Sequence, residues 1–492
     1  MVKILEGLRI VEGSAFVAAP FAGMTLAQMG ADVIRFDRLI GGLDYKRWPV
    51  TEGGRSLFWE GLNKGKRSIA VDMATPRGQE VVTRLICAPG EQAGIFLTNL
   101  RVRGWMDYDE LTKHREDLIM VSITGDRRGG PQVDYTINPA VGFPMATGPE
   151  GSSEPVGHVL PAWDCITGQQ AALGILAAER HRRATGQGQL VELALKDMAL
   201  AMLGNLGIIG EVEINGVDRP KYGNALYGAY AQDFVCRCGG RIIVVALTIR
   251  QWDNLKAATH TQAAFDELTA KLGVRLSLEG ERFKHRHAIT AVLKPFFDTH
   301  RMQDFARAFE EHGVTWSKYR TFKECVEQDS DCSTDNPMFS IVDHPGIGSY
   351  LTPGNPIAFS KVERVLPGIA PRLGENTDEI LTEIGFTDGE IASLHDDRIV
   401  GGRPDGICGP SDPQSRLISR PAPSGEQRAA GWGLGHGRIA RRGRSFPPAA
   451  RRPPTGRIAS GRSRRNPARR PPRKAAARRA PPSYVSDMRP GS

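Results

Sequence analysis

Residues 8–37 read LRIVEGSAFVAAPFAGMTLAQMGADVIRFD, and they decide the fold. Leu8-Arg9-Ile10-Val11-Glu12 is a short apolar run of the buried-strand type. Ala18 to Met29 follows with apolar residues at helical spacing and many small side chains, and Gly30-Ala31 closes it. Asp32-Val33-Ile34-Arg35-Phe36-Asp37 is a second strand. Strand, helix and strand within so short a span make the crossover unit of a parallel sheet, because parallel neighbours need a connection that returns over one face. The first turn, Gly13-Ser14-Ala15-Phe16-Val17-Ala18-Ala19-Pro20, lacks the GxGxxG spacing that brings a pyrophosphate against a helix start. A dinucleotide dehydrogenase is therefore not indicated.

The same alternation continues outward. Strands are expected over 68–71, 94–97, 118–123 and 189–193, with helices over 77–86 and 196–212. In open α/β sheets, ligands bind beyond the carboxyl ends of the strands. The loops at these ends carry Arg38, Lys64, Lys66, Arg67, Asn99, Arg101, Arg103, Arg127 and Arg128. Any one of them reads as ordinary solvated rim. Their repetition at successive strand ends points to an anionic, phosphate-bearing ligand. Residues 222–321 differ in character: an aromatic, glycine-bearing run, a strand over 241–247, then charged helical sequence to about Phe309. From Pro337 the chain reads as irregular, and two helices over 377–384 and 387–395 close it. The expected fold class is α/β. A large Rossmann-like parallel-sheet domain is built from residues 1–214 and a return segment, 322–402, and a smaller α+β domain occupies 222–321.

One acid stands out. The run HVLPAWDCITGQ, residues 158–169, joins a glycine- and proline-rich segment to a small-residue helix expected from Gln170 to about Arg183. Asp164 stands where that helix should begin, among apolar and small neighbours. It reads as an N-cap, whose oxygens accept the orphan amides of the first turn. The other reading is a sheltered carboxylate nucleophile, kept ionised by the same helix end.

The net charge of +9 is unevenly placed. Residues 403–492 hold 21 Lys and Arg against 4 Asp and Glu, so residues 1–402 are mildly acidic. Runs such as Arg470-Pro471-Pro472-Arg473-Lys474 have almost no aliphatic content and are expected to form a disordered Arg/Pro-rich tail. Without aromatic interleaving or a folded nucleic-acid motif, nucleic acid is not an expected partner. Seven scattered cysteines fit a reducing cytoplasm better than a disulfide framework. Cys236 and Cys238 have no second pair at zinc-site spacing, so no metal is expected. The N-terminus lacks the apolar core of a signal peptide, and no apolar run approaches about 20 residues, so no membrane span is expected.

Over roughly residues 4–400 the chain resembles the family III CoA-transferases. The runs that carry the resemblance are Leu8 to Glu12, Leu26 to Asp37, Asn63-Lys64-Gly65-Lys66-Arg67-Ser68-Ile69-Ala70-Val71-Asp72 and Leu373-Gly374-Glu375-Asn376-Thr377-Asp378. The order of these runs around a central Asp before a long helix is specific. The resemblance implies a catalytic aspartate at Asp164. It implies CoA contacts from Ala15, Phe16, Val17, Ala18, Arg38, Val71, Asp72, Met73, Asn99, Leu100 and Arg103. CoA then enters as part of the substrate, with no permanently bound cofactor, and the chain forms an interlocked homodimer. Within the family, the runs over 12–20, 42–50, 160–164 and 333–339 resemble a subgroup whose donor and acceptor carboxyls belong to one molecule. That implies transfer of CoA from C1 to C4 of methylfumaryl-CoA, with Arg47 and Arg127 as candidates to retain the diacid. An intermolecular transferase using a dicarboxylate such as succinate, and an acyl-CoA racemase, remain as alternatives.

Overall fold

The computed structural model describes residues 3–402. The expected disordered tail, 403–492, lies outside the described residues. The main sheet takes β1 (Arg9–Gly13), β2 (Asp32–Asp37), β3 (Arg67–Val71), β4 (Ile95–Thr98), β5 (Ile119–Thr124) and β6 (Gln189–Ala194) from the first half of the chain. The first helices are α1 (Ala18–Ala27), α2 (Leu57–Leu62), α3 (Pro76–Ile86), α4 (Tyr108–Leu111), α5 (Asp134–Ala140), α6 (Phe143–Ala146), α7 (Ala162–Thr185), α8 (Leu195–Asn205) and α9 (Ile208–Asn215). Then come β7 (Tyr230–Val235), β8 (Arg241–Ala246), the helices α10 (Ile249–Ala258), α11 (Gln262–Leu272), α12 (Glu279–Lys284), α13 (Arg286–Thr299) and α14 (Met302–Glu311), and β9 (Thr315–Lys318). The return runs through α15 (Phe322–Gln328), the hairpin β10 (Phe339–His344) and β11 (Gly348–Pro353), α16 (Thr377–Glu383), α17 (Asp388–Asp396) and β12 (Val400–Gly401).

The seven-stranded sheet has the order β12-β3-β2-β1-β4-β5-β6. All its pairs are parallel except β12 on β3. Alternation along the strands sends successive residues to opposite faces. Ile10, Val33, Leu97 and Val121 pack with α1, α7 and α8, whereas Val11, Ile34, Phe36, Phe96 and Met120 pack with α3, α16 and α17. The return segment therefore completes the second face and adds the antiparallel edge. A separate core lies between the three-stranded sheet β7-β8-β9 and helices α10 to α14, where Phe297, Phe305 and Phe309 meet at ring distances of 4.6–6.1 Å.

Three local expectations are corrected. The long central helix starts at Ala162, eight residues before the expected Gln170. The stretch 196–212 is two helices, broken where Gly207 turns left-handed at φ +75. The segment after Pro337 holds the hairpin β10–β11, whose strands show no clean alternation because most of their residues remain half-exposed or exposed.

Near the carboxyl ends of β1 and β2, the α1 side of the sheet is charged rather than apolar. By parity Glu12 and Arg35 occupy core positions, and both are fully buried. The Arg35 guanidinium donates to Asp37 (2.9 Å), Asp44 (2.7 Å), Asn63 (3.2 Å) and the Ser14 carbonyl (3.1 Å), and stacks 4.4 Å from the Trp59 ring. Lys66 donates to Glu12 (2.8 Å), Asn63 (2.9 Å) and the Pro20 carbonyl (2.9 Å). Removing one member of such a cluster leaves buried charge without a partner, which costs about 3–5 kcal/mol. Arg35→Met should therefore lower unfolding free energy in urea by about that amount. Glu383→Ala, which removes a half-exposed partner of Arg9 and Arg67, should cost about 1 kcal/mol or less.

Candidate active site

The strand order reverses between β1 and β4, and open α/β sheets bind ligands beyond the carboxyl ends of the strands at such a point. Asn99, just past β4, clasps the loop after β1. The Ala15 amide donates to its Oδ1 at 2.8 Å, and its Nδ2 donates to the Ala15 carbonyl at 2.7 Å. The next residue, Phe16, is held at φ +65, a left-handed conformation that costs about 1–3 kcal/mol and persists only where the surroundings impose it. α1 begins two residues later with no side-chain cap and no acid in its first turn, which leaves those amides to an anion.

α7 begins beside the start of α1. Its N-cap is Pro161, which offers no side-chain acceptor. The acceptor comes from Asp134 at the head of α5, which is 2% exposed. Asp134 Oδ2 receives the amides of Trp163 (2.7 Å) and Asp164 (3.2 Å), and the Trp163 indole donates to Asn138 Oδ1 at 3.2 Å. The N-cap reading of Asp164 is thus corrected. Asp164 sits in the first turn, and a second acid caps the helix. Among the described residues its carboxylate accepts no hydrogen bond. Burial pushes its pKa up to about 7, the neighbouring charge of Asp134 adds to the rise, and Arg47 opposes it. Desolvation and the like charge of Asp134 thus act against the helix end, which alone would favour the anion.

One turn on, Gly168 lets α7 meet α1. A Cβ there would stand 2.7 Å from the Ala18 carbonyl and 3.0 Å from the Phe21 ring. The absence of a side chain brings the first turn of α7 beside the Phe16 loop. The third wall is the loop over 44–56. Arg47 is exposed, with its guanidinium carbon 5.4 Å from the Phe16 ring centroid and 5.2 Å from that of Phe58. Ser56, the N-cap of α2, donates to the Arg47 carbonyl. The site is thus a half-buried acid within electrostatic reach of Arg47, whose guanidinium lies near the Phe16 and Phe58 rings, beside a helix start with no side-chain cap.

Residues 5–377 match the family model of CoA-transferase family III. The chain belongs to CoA-transferase family III. It is 60% identical over 404 residues to a 2-methylfumaryl-CoA isomerase of Chloroflexus aurantiacus, covering 82% of this chain and 99% of that one. It is 25% identical over 406 residues to a succinyl-CoA–D-citramalate CoA-transferase of the same organism, covering 80% and 98%. The crystal structure of a CAIB/BAIF family protein from Brucella suis superposes with a TM-score of 0.64 at 26% identity, over 78% of this chain and 99% of that one.

In this family III enzyme, the residues singled out from sequence fall at successive strand ends. Ala15, Phe16, Val17 and Ala18 lie between β1 and α1, and Arg38 follows β2 exposed. Val71 ends β3, and Asp72 accepts the Ala74 amide at 3.1 Å ahead of the exposed turn beyond Met73. Asn99, Leu100 and the exposed Arg103 follow β4. Phe16, Arg47 and Asp164 come together. Arg127 is exposed on the loop after β5, with no contact to Asp164 among the described residues. Lys66 and Arg67 stand at the amino end of β3, not beyond a carboxyl end, and are corrected as ligand candidates: Lys66 is spent on Glu12, and Arg67 on Asp32 (2.6 Å) and Glu383 (2.7 Å). Sequence reading missed Asp134 and Phe58. Asp134 lies 29 and 30 residues from the two amides it receives, and no spacing rule links them. Asp134→Asn keeps an acceptor for the cap and removes the like charge. With Asp164 as the nucleophile that the sequence resemblance implies, its anion would be the reactive form, and the acidic limb of the kcat/KM–pH profile should move from near pH 7 to lower pH in that variant.

Proposed function

We propose that this enzyme transfers CoA within one molecule, converting 2-methylfumaryl-CoA to 3-methylfumaryl-CoA with Asp164 as the nucleophile. The observation that carries the reading is the 60% identity to the Chloroflexus isomerase over 99% of that protein's length. The site supplies the chemistry. An Asp164 oxygen attacks the C1 thioester carbonyl, and the CoA thiolate leaves to give a mixed anhydride. The thiolate then attacks the aspartyl carbonyl, which frees the C1 carboxylate and leaves an aspartyl-CoA thioester. The C4 carboxylate attacks that thioester in turn, and the thiolate returns to C4, restoring Asp164. Covalent catalysis divides one difficult exchange into accessible steps. A carboxylate with its pKa near 7 is a stronger nucleophile than an ordinary aspartate and is still substantially ionised at neutral pH.

The uncapped start of α1 and the loops at the ends of β2, β3 and β4 suit the phosphates of CoA, with Arg38 and Arg103 as its exposed cations. The interlocked homodimer belongs to this reading. Its support is apolar exposure where the chain passes to and from the smaller α+β unit, at Ile214 (83%) and Phe322 (85%).

The test is incubation with 2-methylfumaryl-CoA alone, followed by mass spectrometry of the products. The wild-type enzyme should form the 3-isomer without added acid, and labelled free methylfumarate in the medium should stay out of the product. Asp164→Ala should lose activity by a factor on the order of 10³ or more, as nucleophile removal does elsewhere. A strict requirement for succinate would instead mark an intermolecular transferase.

A further inference from the structure

The exchange poses a problem of retention. Once the thiolate has returned to Asp164, the acid is a free dianion that must reverse its ends without leaving. Arg47 offers the means. Unlike Arg9, Arg35, Arg55 and Arg67, each within 3.1 Å of a carboxylate, Arg47 has no acid partner among the described residues. Phe16 and Phe58 lie 5.4 and 5.2 Å from its guanidinium carbon. A guanidinium held at aromatic rings keeps its N–H edge for a carboxylate. The geometry is set in advance. Asp44, three residues earlier, is locked to Arg35, and Ser56 holds the Arg47 carbonyl. The charge also reaches Asp164, where Arg47 is the one cation that counters the rise of its pKa. Arg127 has neither the aromatic seat nor that influence.

We propose that Arg47, held by Phe16 and Phe58, is the seat of the diacid's non-reacting carboxylate, and that it holds the acid while its two ends change places. This rests on the dicarboxyl substrate proposed above. In the first half of the exchange Arg47 pairs with the C4 carboxylate while C1 reacts at Asp164. When the thiolate takes the aspartyl carbonyl, C1 becomes a free carboxylate. It replaces C4 on the same guanidinium, and C4 turns to Asp164. No bond to Arg47 forms or breaks, and no proton moves. One planar fork serves both ends in turn because it recognises a carboxylate rather than the carbon skeleton behind it. A mono-acid thioester has nothing to place there.

The experiment compares wild type, Arg47→Met and Arg47→Lys on 2-methylfumaryl-CoA and on crotonyl-CoA, a mono-acid thioester. Enzyme-bound aspartyl-CoA is trapped with borohydride, and free methylfumarate in the medium is measured during turnover. Thermal melts confirm that each variant is folded. The selectivity of adduct formation for the diacid thioester over the mono-acid one should fall about 100-fold or more in Arg47→Met. The same variant should release free methylfumarate at a rate comparable to isomerisation. Arg47→Lys, which keeps the charge and loses the fork, should lie between. Unchanged selectivity with no released acid in folded Arg47→Met would overturn the seat while leaving the covalent exchange intact. Absence of a trapped adduct from either thioester in the wild type would instead overturn the covalent reading and the seat with it.

Discussion

The buried guanidinium of Arg35 holds the two loops that make this site. It reaches the Ser14 carbonyl on one side and Asp44 on the other. Ser14 leads into the Phe16 turn and Asp44 into the loop that presents Arg47, so one side chain sets the spacing of both walls. The arrangement is expensive in desolvation, and an apolar cluster of the same shape would be at least as stable. What the charge adds is direction. Each donor of a planar fork demands an acceptor in one place, and those acceptors belong to segments distant in sequence. Gly42 has no room for a Cβ beside Asp37 and Arg35, which shows how closely the loop is drawn onto the cluster.

Against this rigid base, Asp164 is left incompletely satisfied. Asp134 takes over the helix cap, so no backbone amide stabilises the Asp164 anion, and burial raises its pKa to about 7. The two acids divide the roles that a single capping aspartate would combine. Asp134 is held as an acceptor by two amides, while the Asp164 carboxylate accepts no hydrogen bond among the described residues. Arg47 stops the shift from going further, and its charge is available to whatever anion enters opposite Asp164.

Much of the fold was legible in residues 8–37. Apolar alternation and helical spacing are local properties, and a chain that shows strand, helix and strand in that order has few ways to bury them. The central acid was legible as well, since Asp164 stands out in an apolar run. Its setting was not. The start of α7 was misread because its cap lies in α5, and the hairpin β10–β11 was missed because half-exposed strands lose the contrast that alternation requires. Lys66 and Arg67 looked like ligand-binding cations, since nothing in the local sequence records that Glu12, Asp32 and Glu383 lie against them.

The sequence by itself determined the α/β class, the run of parallel strands, the sheltered acid before the long helix and the membership in CoA-transferase family III. These follow from periodicity and from contiguous runs of residues, which a linear chain displays in full. Only the tertiary structure decided which cations are paired within the fold and which stand exposed at the strand ends. It also decided which acid caps α7, and that Arg47 lies near Phe16 and Phe58 within electrostatic reach of Asp164. Those outcomes depend on distance and desolvation between segments far apart in the chain, and neither exists until the sheet has closed.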